Sequence, residues 1–487
     1  MTEKYWFGGA NHHQGQWDYD GVAPFNPDAG EATDESNGLS GLPAAAHGLY
    51  AGDEIVITGT DHYDGTFILD AATTTNTLVI ELAYTLESGV NGLISGTQFT
   101  AAGIDLIAEG VQPGMTLRIS NSSTGIDGDY RIAEVVDSGH LNTQETIGAE
   151  SGLTFQIIRA ETFDGTELIT PNVDSNWKLV SDGTNASIPE DGDILHFNDR
   201  ASYNITTKKY QSCTVNVNAD GTGTPNLGGV FISAGYNGTI GSEAVPLEIN
   251  CQNGDVVIDG DCTVYLKLSA GEEADAGCER LVINNEKANV TVSSRLNNET
   301  NVCLYALLIC LKGYLWIQDG CAVGQVVSAN YSSYIDAGIG IENVRDQIPC
   351  SITAVKGGIV WRSKIDEIKL FDAEFAWGDA GMAAVADYAC NCLTIYSQSG
   401  EFLWQMADTG ASLIKQFILY AGNLIASATV NSGYQKKIGT GTEISELWPD
   451  ATANLNSSSN NVLIAAGSKL ESHGGTLIAS SGSLLGW

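Results

Sequence analysis

The sequence predicts an all-β fold whose body is a parallel β-solenoid, with two small tandem β modules near the N-terminus. Three observations lead there. First, the phrases Lys312-Gly313-Tyr314-Leu315-Trp316, Lys356-Gly357-Gly358-Ile359-Val360-Trp361 and Ser399-Gly400-Glu401-Phe402-Leu403-Trp404 place their glycines 44 and 43 residues apart. Each is a tight turn followed by an apolar run ending on tryptophan. A solenoid coil takes roughly 20–25 residues, so this spacing is two coils, and Trp316, Trp361 and Trp404 are expected on corresponding faces. Second, only 17% of the residues are charged, with 56 Gly and 10 Pro among 487. Ser, Thr and Asn are abundant and compete with a helix for its own backbone hydrogen bonds, so short strands and turns are favoured. Third, short apolar runs recur beyond residue 200: Thr214–Val217, Val256–Ile258, Val264–Leu268, Leu281–Ile283 and Val290–Val292. The nine-residue apolar run Cys303–Leu311 reads as buried strand, too short to cross a membrane. Only Asp379–Cys390, alanine-rich in its middle, reads as a helical insert.

In chain order, residues 1–37 form an arm and part of a solenoid cap, 38–90 a first β module, and 91–165 a second. Residues 166–200 complete the cap, and 201–487 are the solenoid body with an oligomerising end. The modules are read from a repeat. His47-Gly-Leu-Tyr-Ala-Gly-Asp-Glu-Ile-Val-Ile-Thr58 overlays Glu109-Gly-Val-Gln-Pro-Gly-Met-Thr-Leu-Arg-Ile-Ser120, and Tyr63-Asp-Gly-Thr-Phe-Ile-Leu69 overlays Ile126-Asp-Gly-Asp-Tyr-Arg-Ile132. The pattern predicts a short helical turn, a glycine corner, a strand, and an Asp-Gly reversal into a second strand. A third strand is expected in each copy, at Thr77–Leu82 and Leu153–Ile158.

Both modules resemble the repeated units found in tail, fibre and capsid-associated proteins of tailed bacteriophages. Tyr5-Trp6-Phe-Gly-Gly-Ala-Asn11 with Trp17 resembles the first half of an opening phrase of right-handed β-helices in phage proteins and bacterial adhesins. The second half, Asn176-Trp177-Lys-Leu followed by Ile188-Pro-Glu-Asp-Gly-Asp-Ile-Leu-His-Phe197, comes about 160 residues later. Trp6 and Trp177 are therefore expected to meet in one cap, with the modules looping out of it. The resemblance implies a structural part of a virion, made in the host cytoplasm. It would decorate or cement the capsid exterior, or form a short fibre, as a homotrimer in contact with major capsid or tail proteins. A tailspike that binds or cuts host-surface glycan is the first alternative, a bacterial surface adhesin the second.

Charge and cysteine usage narrow the partners. With 22 basic and 59 acidic residues the formal charge is −37, which repels phosphate backbones and argues against nucleic acid. The first residues lack a basic stretch followed by an apolar one, so no signal peptide is expected. All ten cysteines fall between Cys213 and Cys392 without paired zinc spacing, and are expected reduced and buried. The apolar end Leu484-Leu485-Gly486-Trp487 suits association between chains.

For chemistry, Asp372 and Glu374 lie two apart in the densest acid-and-aromatic stretch. On a strand they share a side, opposite Phe371 and Phe375, and such a carboxylate pair is what a glycoside hydrolase needs. Asp127-Gly-Asp129, Asp191-Gly-Asp193 and Asp259-Gly-Asp261 are acidic turns of the kind that can ligate Ca²⁺, though Asp-Gly is also ordinary turn chemistry. His12-His13 is the one histidine cluster. No phosphate loop, dinucleotide fingerprint or nucleophile elbow is present, so neither a cofactor nor an enzymatic activity is expected.

Overall fold

The computed structural model describes residues 2–8, 16, 19, 21–172, 175–213, 225–269, 276–294, 303–343, 348–378, 388–405, 412–426, 436–455, 462–479 and 484–485. Every regular element among them is a strand. The chain divides into two compact units, one of Met1–Gly9, His13–Asp20 and Ser175–Trp487, the other of Ala10–His12 and Gly21–Asp174.

The first unit is the solenoid. Its strands stack in parallel register, and alternate side chains point inward, as the two-residue period of a strand requires. One inner column runs through Leu195, Val230, Val256, Leu281, Leu308, Val326, Ile352, Ile368, Leu393 and Phe417. A second runs through Val264, Val290, Leu315, Ile335, Ile359, Phe375, Phe402, Leu424 and Ala453. A third joins Cys350, Ile365, Cys390, Ile414, Ile438 and Ile464. All of these side chains are buried, and each valine, leucine, isoleucine or phenylalanine among them contributes about 1.5–3 kcal/mol when taken from water.

The phrase glycines form the corner. Gly313 pairs with Ser333 and Gly357 with Ala373. At Gly313 (φ 98°) and Gly357 (φ 92°) an added Cβ would fall 2.4 Å from the Asn285 carbonyl and 2.5 Å from that of Ser333. Left-handed backbone and close approach of the coil above leave room for glycine alone.

Of the three tryptophans expected on one face, two share it. Trp361 pairs with Trp377 and Trp377 with Trp404, all three fully buried. Their indole N–H groups donate to the Lys364 carbonyl, the Ser363 carbonyl and the Ser412 hydroxyl. Trp316 departs from the expectation: Ile317 takes the inner position, and Trp316 faces outward, half-buried, paired with Asp336. The cause is a count. Trp316 follows its glycine by three residues, whereas Trp361 and Trp404 follow theirs by four, and one residue on a strand exchanges the faces.

At the start of the solenoid, Glu3–Trp6 lies antiparallel to Trp177–Leu179 and parallel to Ile194–Phe197. The rings of Trp6 and Trp177 are 5.2 Å apart and edge-on, with Phe197 6.1 Å from Trp6. The two halves of the opening phrase thus build one aromatic cluster over the first coil. Trp17, His12-His13, Thr214–Val217, Gly486 and Trp487 lie outside the described residues, as do 379–387 of the expected helical insert. Its last residues open the strand Tyr388–Ile395.

In the second unit the repeat folds into two hairpins. Glu54–Thr58 pairs with Gly65–Ile68, matching Ile57 with Gly65, and Thr116–Ser120 pairs with Gly128–Asp137, matching Ile119 with Gly128. Gly52 and Gly114 open them with φ of 91° and 93°. Asp64 accepts the Thr60 backbone N–H, and Asp127 that of Ser122. The third strands differ. The end of His140–Ile158 lies beside Thr116–Ser120, as expected. Thr77–Ile80 instead pairs with Ser40–Pro43, and the place beside Glu54–Thr58 is taken by Leu168–Pro171. A single helical turn precedes the second copy's strand, where the Glu109 N–H donates to the Asp105 carbonyl at 2.9 Å; plain turns serve before the first.

Candidate functional site

The strand Ile365–Trp377 carries the acid-and-aromatic stretch. It turns the solenoid corner at Ala373, which occupies the glycine position of the neighbouring coil. The turn interrupts the alternation. Phe375 is fully buried, but Phe371 and Asp372 both face outward, so Phe371 does not share Phe375's side. The two carboxylates both face outward, with the corner residue Ala373 between them. Asp372 accepts hydrogen bonds from the Ser397 and Ser399 hydroxyls. Glu374 is exposed and pairs in register with Gly358 and Glu401 on the next sheet face. The serine hydroxyls hold the Asp372 carboxyl below the usual carboxylate range. That makes Asp372 an ionised anchor for the corner, whereas a glycosidic proton donor needs its proton held more tightly.

The acidic turns are engaged by the protein itself. Asp191 accepts the Asn226 backbone N–H at 2.7 Å. Asp193 is buried and forms an ion pair with buried Lys4 at 2.6 Å, while Lys4 also donates to the Ile188 carbonyl. Removing one member of such a pair leaves the other charge stranded, so it locks the opening strand to the first coil. Asp259 accepts from the Asn284 amide, and Asp261 lies 3.5 Å from the Lys287 ammonium. Arg118 grips Asp129 with two bonds of 2.8 Å. Among the described residues no three His, Cys, Asp or Glu side chains converge to hold a metal ion.

None of the nine described cysteines is in a disulfide, and eight of them are buried with Cys392 half-buried; the side chain of Cys303 lies outside the described residues. Burial pushes the thiols of Cys251, Cys262 and Cys310 up to about 12. Neutral thiols at these positions behave as small apolar groups of the core.

Two features of the outer surface escaped sequence reasoning. One is an apolar row: Phe231, Val257, Val282, Ile309 and Val327 stand in register on successive coils, outward and half-buried. The other is an aromatic stripe. Phe371, Tyr396, Tyr420, Trp448 and His473 follow one another with ring centroids 4.8, 5.5, 5.8 and 4.5 Å apart. The first four each stand one residue past a buried leucine or isoleucine: Leu370, Ile395, Leu419 and Leu447. The signal was available as one aromatic ring per coil, but periodicity sought at two coils passes over it. In the core, Lys436 is buried beside Trp404, donating to its carbonyl at 2.7 Å.

No family model matches the chain, and no curated protein or solved structure was found similar to it.

Proposed function

We propose that the chain is a structural component of a tailed-phage particle, decorating or cementing the capsid exterior or forming a short fibre, and that it works as a homotrimer through packing between subunits. The observation that carries the packing is the outward apolar row from Phe231 to Val327. Five half-buried apolar side chains in line on a chain of charge −37 form the kind of strip that another protein surface covers. Burial of such strips between subunits stabilises an assembly by mass action, without turnover. The phage setting is supported by the resemblance of the two hairpin units. Light scattering on the purified chain tests the packing: a trimer is expected, reduced to monomer by Val282→Lys with Ile309→Lys while the circular dichroism of the strands is kept. Labelled particles seen by electron microscopy test the setting. The tailspike alternative would replace this reading if purified protein depolymerised host polysaccharide and Asp372→Asn abolished that turnover.

A further inference from the structure

We propose that the aromatic stripe from Phe371 to His473 binds a neutral, linear polysaccharide laid along the solenoid axis, about one sugar ring to each coil. This goes beyond the subunit packing above and does not depend on it. Tyr396, Tyr420 and Trp448 are 40, 42 and 36% exposed, and their successive centroids are 5.5 and 5.8 Å apart. Strand spacing alone sets separations of about 4.8 Å, so the stripe is a ladder of ring edges, and the tilts of 33° between Tyr420 and Trp448 and 31° between Trp448 and His473 turn part of a ring face outward at its far end. A rigid run of large apolar rings, with polar groups at fixed places beside it, is how a surface holds a ligand that has one apolar face and a rim of hydroxyls. The polar groups are present. Ser397 follows Tyr396 and shares Asp372 with Ser399. Glu446 accepts from the Trp448 indole at 3.1 Å and lies 3.8 Å from the His473 ring nitrogen.

Charge selects among polymers of this shape. The cations near Phe371 are engaged, Lys369 by Glu367 at 2.7 Å and Lys356 over the Tyr331 ring at 4.6 Å, and the chain as a whole carries −37, so a polyanion is repelled. Asp372 and Glu446 already receive protein donors, and the exposed Asp450 and Glu471 beside the stripe add to the repulsion of a polyanion. A repeating ligand suits a repeating surface: the rings recur once per coil, close to the length of one sugar unit in an extended chain.

The test is affinity electrophoresis of the full chain in gels holding a neutral glucan, mannan or galactomannan, beside gels with a polyuronate and binding of a basic peptide. Retardation by at least one neutral polymer is expected, weakened tenfold or more by Tyr420→Ala with Trp448→Ala and unchanged by Tyr334→Ala, which breaks a separate ring stack. If the double variant misfolds, Trp448→Phe keeps a ring in place. Polymer should then protect tryptophan fluorescence from acrylamide in the parent, and that protected fraction should vanish in Trp448→Phe. Failure of every neutral polymer, equal binding of the polyuronate or the peptide, undiminished affinity in a folded double variant, or persisting protection in Trp448→Phe would each overturn the proposal.

Discussion

The phrases at Gly357 and Gly400 send their tryptophans into the solenoid, and the phrase at Gly313 sends its own out. The regions around them differ accordingly. Up to Ala337 the inner position is aliphatic, held by Val292, Ile317 and Ala337; from Trp361 it is an indole column. The outer surface shifts as well, from the apolar, mostly aliphatic row ending near Val327 to the aromatic stripe beginning at Phe371. The corner is common to both regions: a small residue under the coil above. What changes is the count from corner to ring, and that count alone decides whether an aromatic side chain serves the core or the surface.

Substitutions separate the two regions. The largest effect belongs to Trp377→Ala, which empties the middle of the indole column and should cost about 3–5 kcal/mol in denaturant unfolding. An effect below 1 kcal/mol would mean the column is not what holds this region. Next is Lys436, whose ammonium is pushed down by burial to about 8 from an ordinary 10.5. Between those values the unfolded chain binds more protons than the folded one, so stability should rise with pH from about 8 to 10.5. Below that window the buried charge costs about 3 kcal/mol. Lys436→Met should therefore stabilise the protein by about 1–3 kcal/mol at pH 7, after loss of the bond to the Trp404 carbonyl, and should flatten the rise between pH 8 and 10.5. Thermal unfolding at pH 7 and pH 10 checks both. Gly357→Ala should cost about 1–3 kcal/mol through a left-handed backbone and contact with the coil above; the same change at Gly313 should cost about as much, because the corner is shared. The smallest effect is Trp316→Ala, about 1 kcal/mol or less, since its ring is half-buried outside the core. A loss as large as that of Trp377→Ala would place Trp316 inside after all.

Much of this architecture was legible in the sequence. Glycine spacing located the corner, and the split opening phrase brought Trp6 to Trp177. Equivalent Asp-Gly turns marked the two hairpins down to their register, because a hairpin is closed by residues adjacent in sequence. The strand beside Glu54–Thr58 was not legible: Leu168–Pro171 arrives from more than a hundred residues away, and no local pattern names it. Phe371 was misplaced because strict alternation does not survive a corner. For the candidate sites, residue type was not enough. Asp193 reads as a calcium ligand until Lys4 is placed beside it, and Asp372 as an acid until two serines are. The aromatic stripe needed only the one-coil spacing of its rings.

The buried thiols give the solenoid a built-in record of its own opening. Cys251, Cys278, Cys310, Cys350 and Cys390 are enclosed on different coils along the stack, and burial holds each as the protonated thiol that reagents leave alone. A stack whose coils contact only their neighbours can come apart from one end or loosen at an interior coil. Each route exposes these sulfurs in a different order. The sequence of their labelling would therefore read out, coil by coil, where the rod yields first.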